Sequence, residues 1–115
     1  MKIHYLTSLP SHWQPVAAIF AALGDETRQR ILLLFDENEE LAIKEIAAQF
    51  HLGRTTVVHH LAVLEKAGVL TVRRAGKLAL YSMRPGVILD ALEKLRAYIE
   101  EEYPTAYHEH RNNQP

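Results

Sequence analysis

The chain has 115 residues, 48% hydrophobic and 23% charged, with a net charge of −1. That balance suits one globular domain and leaves no room for two ordinary cores. There is no cysteine, which excludes disulfides, thiolate metal sites and thiol redox sensing. No apolar run approaches the ~18 residues a membrane span needs. The opening MKIHYLTSLPSHWQP lacks the apolar core of a secretory signal, so no membrane partner is expected and the cytoplasm is the default location.

Residues 1–10 read as an N-terminal extension. Ser11 is placed to cap a helix over about 12–23, with Pro15 in the first turn, where a missing N–H costs little. Trp13, Val16, Ala17, Phe20 and Leu23 fall at helical spacing along it. Gly24 ends that helix and Asp25 caps the next, whose Ile31, Leu32, Leu34 and Phe35 point to a core. Residues 36–40 form a polar break.

A short helix over about 43–49 turns Ile43, Ile46, Ala47 and Phe50 inward. The tripeptide His51–Leu52–Gly53 makes a tight turn, and Arg54 opens a fourth helix that Gly68 terminates. Val57, Leu61 and Leu64 repeat at i, i+4, i+7 and must be buried, which leaves Thr55, Val58, His59 and Ala62 on the other side.

The period then changes. VLTVRRAGKLALYSM reads as two strands around Ala75–Gly76, with Arg73, Arg74 and Lys77 at the tip. A last helix over about 85–103 carries Ile88, Leu92, Leu95 and Ile99 in one stripe, and Pro104 stops it. Residues 104–115 are polar and are expected to be disordered.

A short helix joined by a glycine-containing turn to a longer one is a helix-turn-helix pattern, and a basic hairpin behind it makes a wing. The fold class expected for residues 11–103 is therefore mainly α with a small β-hairpin, in the order α-α-α-α-β-β-α. Charge distribution agrees. Residues 51–84 hold six Lys/Arg against the single acid Glu65, a surplus of +5 set against −6 elsewhere. A local basic segment is an electrostatic footprint for nucleic acid that the overall sum conceals.

The stretch ALGDETRQRILLLF is similar to the opening helix pair of the ArsR/SmtB family of bacterial repressors, through Leu23, Asp25, Thr27, Arg28, Ile31 and Leu32. IKEIAAQFHLGRTTVVHHLAVLEKAGVL resembles that family's helix-turn-helix, and Arg73, Arg74, Gly76 and Lys77 its basic wing, followed by Leu80, Tyr81 and Ser82. The resemblance spans about residues 15–103. It implies a homodimeric cytoplasmic regulator that binds an imperfect palindrome in double-stranded DNA and leaves it when an inducer binds. Family dimers pack through the first and last helices, which makes Trp13, Val16, Phe20, Leu92, Leu95 and Ile99 the candidate dimer residues.

The pair His59–His60 invites a metal reading, but neighbours on a helix are about 100° apart and cannot face one ion. A helical metal pair needs i, i+4 spacing. For DNA the pattern is sensible. Arg54 is the base-reading candidate, Thr55 and Thr56 anchor phosphate, and Val58 and His59 continue the face. His60 reads as a packed edge residue. Arg73, Arg74 and Lys77 suit an adjacent minor groove. Arg28 reads as a salt bridge or cap near Asp25.

No cofactor is expected. The family's two-thiolate stretch is ELAIK here, with Ala42 and Lys44 in place of the cysteines, and Asp90 is followed by Ala91 and Leu92 rather than by a histidine. A residual metal reading uses His4, His12, His108 and His110, since the chain ends lie close together in the family's dimer. Other candidate inducers are a small organic molecule between the first and last helices, near Trp13, Phe20, Tyr98 and Tyr103, or a partner protein, and the sequence is equally compatible with a regulator that has no ligand. Catalysis has no support: there is no cysteine nucleophile, serine elbow, phosphate loop or H-E-x-x-H. The competing class is a winged-helix module that binds protein and not DNA.

Overall fold

Asp25 behaves as its position suggests: its carboxylate accepts the backbone N–H of Arg28 at 3.0 Å and starts a helix. The computed structural model describes all 115 residues. A single 3-10 turn, Ser11–Trp13, leads into α1, Gln14–Leu23. The Ser11 side chain makes no cap bond, because α1 starts two residues later than the sequence suggests. α2 covers Glu26–Leu32, and Leu34 and Phe35 lie beyond its end while still packing against the core.

A two-residue strand that periodicity cannot detect, β1, Leu41–Ala42, precedes α3, Ile43–Ala47. Glu45 accepts the N–H of Ala42 at 2.9 Å, which is half of a capping box; alanine has no oxygen for the other half. α4 is Arg54–Lys66. It ends in a Schellman motif: Val69 N–H donates to Leu64 O at 3.0 Å and Gly68 N–H to Glu65 O at 2.9 Å. Gly68 takes φ +84° there, which any side chain would strain.

β2, Leu70–Ala75, and β3, Leu78–Met83, are antiparallel. The turn is Gly76–Lys77, one residue later than expected. Gly76 supplies φ +63° at the first turn position, where a two-residue hairpin turn with glycine first requires it. The sheet order is β1-β3-β2, with Leu41 opposite Tyr81 and Ala42 opposite Leu80.

α5 runs Pro85–Glu102. The tail expected to be disordered is instead a further helix, α6, Pro104–Asn112. Pro104 does stop α5, since Tyr103 is pushed to φ −135°, ψ 57°. The same proline then sits in the first turn of α6, where its missing N–H costs little. Tyr107 ties α6 back: its hydroxyl accepts from Arg96 Nη1 at 2.8 Å and its ring lies under the Arg96 guanidinium. Arg96 also bridges Glu93 and Glu100, which raises its pKa well above the usual range.

The core joins α1 (Val16, Ile19, Ala22), α2 (Ile31, Leu32), α3 (Ile46), α4 (Val57, Leu61, Leu64), the hairpin (Leu70, Tyr81) and α5 (Ala91). Each fully buried Leu or Ile contributes roughly 1.5–3 kcal/mol. α4 is thus held from within by three residues of 0% exposure, and its outer side is left to face solvent. No helix is long and apolar enough to cross a membrane.

Candidate nucleic-acid interface

At 100° per residue, Thr55, His59, Ala62 and Lys66 lie on one line along α4, opposite Val57, Leu61 and Leu64. Arg54 and Val58 flank that line on one side and Thr56 on the other. All seven outward residues are exposed. The structure therefore leaves Arg54, Thr55, Thr56, Val58 and His59 accessible, and adds Lys66 to their line.

The adjacent histidines diverge. His60 is half-buried, with Nδ1 3.4 Å from Arg28 Nη1. His59 stands at the rim of a concavity between α1, α2 and α4, beside Ala18, Arg28, Val63 and Lys66. Their ring centroids are 5.9 Å apart and tilted by 57°. Arg28 does not pair with the Asp25 carboxylate through its guanidinium. Its backbone N–H makes the cap, and its side chain donates to the carbonyls of Ala22 and Ala21 at the end of α1.

The wing arginines separate. Successive strand residues point to opposite faces, so Arg74 shares the face of Leu70 and Val72, while Arg73 lies on the other. The Arg73 guanidinium forks onto the Glu40 carboxylate, with Nη2 at 2.8 Å. That side-chain hydrogen bond holds the Glu40 carboxyl below the ordinary carboxylate range. Arg74 and Lys77 instead meet Arg54 around a concavity of about 210 Å³. A fourth cation joins them there: Lys44, near the start of α3. Sequence reading noticed Lys44 only for replacing a cysteine. Its position about 160° around α3 from the buried Ile46 was the available signal.

Of the candidate dimer residues, Val16 is 2% exposed and belongs to the protomer's own core, so it has no surface to give a partner. Trp13, Phe20 and Leu95 are half-buried, with Trp13 edge-on to Tyr98 at 5.5 Å. Leu92 and Ile99 remain 47% and 38% exposed. Leu89, which periodicity did not single out, is 63% exposed beside them. α5 thus buries Ile88 and Ala91 against the protomer and leaves a second apolar side open. His4, His12, His108 and His110 are brought into no group of three or more metal-capable side chains.

Two helices joined by a tight turn, a reading helix with a bare outer face and a basic antiparallel hairpin define a winged helix-turn-helix domain. A family model described as a helix-turn-helix domain matches residues 23–73. An uncharacterized HTH-type transcriptional regulator of Methanocaldococcus jannaschii is 36% identical over 60% of this chain and 78% of its own length. The transcriptional repressor SdpR of Bacillus subtilis is 30% identical over 70% of this chain and 89% of its own. The arsenic resistance regulator ArsR1 of Pseudomonas putida is 36% identical, but the match spans 60% of this chain and 54% of that protein.

Among solved structures, an ArsR-like transcriptional regulator from Rhodococcus superposes with a TM-score of 0.74 at 20% identity, over 90% of this chain and 96% of the other. A homodimeric winged helix-turn-helix DNA-binding domain from Mycobacterium bovis gives 0.63 at 25% identity, over 78% and 83%. The chain belongs to the ArsR family of winged helix-turn-helix transcriptional regulators.

Proposed function

We propose that the protein is a homodimeric repressor that binds a palindromic operator in double-stranded DNA and is released by a small inducer, acting in the cytoplasm. The observation that carries this reading is the bare outer line of α4, anchored from within and set beside a basic wing. In a helix-turn-helix the N-terminal half of such a helix enters the major groove. Val58 and His59 read base edges there, and Thr55 and Thr56 anchor phosphate. Arg54 is turned toward the wing, beside Arg74 and Lys77.

Dimerisation uses the open side of α5, with Leu89, Leu92 and Ile99 supported by Leu95, Trp13 and Phe20. The homodimeric Mycobacterium domain supports pairing as such, and the exposed leucines of α5 support this side for it. The inducer is a small organic molecule. A concavity of about 270 Å³ between the Ser11–Trp13 turn and α5, bordered by Trp13, Tyr98, Lys94 and Glu101, suits an aromatic body with a charged substituent.

The test is selection of genomic fragments by the purified protein at stated salt, with sedimentation to fix the oligomeric state. A palindrome with half-sites about one helical turn apart is expected. Uniform weak binding would instead favour the protein-interaction reading.

A further inference from the structure

The fold gathers Lys44 from α3, Arg54 from α4, Arg74 from β2 and Lys77 from the wing turn around one concavity. No acid lines it; the remaining wall is alanine, isoleucine and leucine. The protein is not basic overall, with 13 Lys/Arg against 14 Asp/Glu, so this convergence does not follow from composition. Four like charges in one recess repel one another, and an anion relieves that repulsion.

We propose that this notch seats a single backbone phosphate of DNA, and that Arg73 with Glu40 is a positioning pair for the notch. The inference rests on the DNA-binding reading and deepens it. It moves Arg54 from base reading to phosphate, adds Lys44 and removes Arg73 from the contact set.

Three features favour one phosphate over scattered contacts. The cations come from two helices and the hairpin, spread over residues 44–77, so the fold and not a local run aims them together. The recess is small, about 210 Å³, and half-enclosed, which fits a tetrahedral oxyanion on a strand passing across its mouth. A guanidinium fork and point-charge ammoniums together suit phosphate oxygens.

The role of Arg73 follows from the sheet. β1 and β2 flank β3 and share no hydrogen bonds. Arg73 reaches across β3, over its partner Leu80, to Glu40 just before β1. That link fixes β2, which carries Arg74, relative to the segment that enters α3 and carries Lys44.

Two measurements on the full chain test this. In the first, operator DNA carrying single ethylated phosphates is bound by the wild type and by Lys44→Gln and Lys77→Gln. Each substitution is expected to weaken binding roughly three- to tenfold on every sequence. Both are expected to lose sensitivity to ethylation at the same one phosphate per half-site. If the two map to different phosphates, or neither changes binding, the notch is overturned while DNA binding by the wild type stands. If the wild type binds no DNA, both readings fall.

In the second, Glu40→Gln is compared with wild type after circular dichroism confirms equal folding. Removing a negative charge near DNA would ordinarily tighten binding. If Arg73 positions the wing, affinity falls severalfold. Tighter binding would mean that the freed Arg73 contacts DNA directly, which overturns its assignment.

Discussion

Arg28 donates its Nε–H to the carbonyl oxygen of Ala22 at 2.6 Å. A cation thus stands at the negative end of α1, on its last carbonyls, of which that of Ala21 also accepts the N–H of Gly24 at 3.3 Å. Nη2 reaches Ala21 O at 3.3 Å and Nη1 approaches His60 of α4 at 3.4 Å. One side chain therefore joins α1, α2 and the reading helix. Replacing Arg28 by Met should cost about 1–3 kcal/mol, the range for hydrogen bonds from a charged donor. A urea midpoint equal to that of the wild type would contradict this.

The outer line of α4 and the wing-side notch are expected to separate in how binding depends on salt and on sequence. His59→Ala should lose about 1–3 kcal/mol of discrimination at one base pair and leave the salt slope unchanged. Arg54→Gln should do the reverse, flattening the slope of log K against log salt by up to about 0.9 and weakening all sequences alike. Titrations at several salt concentrations, on operator and scrambled DNA, distinguish the two.

Leu92 is exposed on a helix whose other side is buried. Leu92 is already half-covered by its own protomer and each residue is lost twice in a two-fold dimer, so Leu92→Glu removes about 1.5–3 kcal/mol of apolar burial. The dimer dissociation constant should rise at least about tenfold. Analytical ultracentrifugation would show a monomer at micromolar concentration, and a persistent dimer would redirect the interface away from α5.

Asp25 carries a pH signature. The hydrogen bond from the Arg28 backbone N–H is the main cause that holds its carboxyl below the ordinary value of 3.8. A folded pKa that is depressed contributes stability present above the unfolded value and lost as pH falls through the folded one. The stability difference between wild type and Asp25→Ala should therefore be constant from about pH 7 to pH 5 and narrow below about pH 4. An equal difference at pH 3 and pH 7 would argue against the cap.

Much of the architecture was legible because its signals are local. Val57, Leu61 and Leu64 announce a buried helix side by spacing alone, and Gly68 and Pro104 mark ends by backbone chemistry. The exceptions share a cause. β1 is two residues long and exists only because β3 lies beside it, so no period can reveal it. α6 is polar and gains its hold from Arg96, a residue on another helix. Arg73 and Arg74 look equivalent as neighbours, yet strand alternation gives one to Glu40 and the other to the notch. Val16 and Leu92 both fit an apolar stripe. Which is core and which is surface depends on how α1 crosses α5, and that is a tertiary fact.

β1 passes into α3 without a spacer, and Ala42 belongs to both as last strand residue and helix cap. The hairpin is bonded to that strand, and its turn is only two residues long. α4 in turn joins β2 through only Ala67–Val69, closed by the bonds of Gly68 and Val69, so the helix and the flap are held at one spacing. On the proposed DNA-binding reading, an extra base pair inserted between their footprints shifts one against the other by about 3.4 Å and a tenth of a revolution. A half-site would then have to match a fixed gauge in length as well as in sequence.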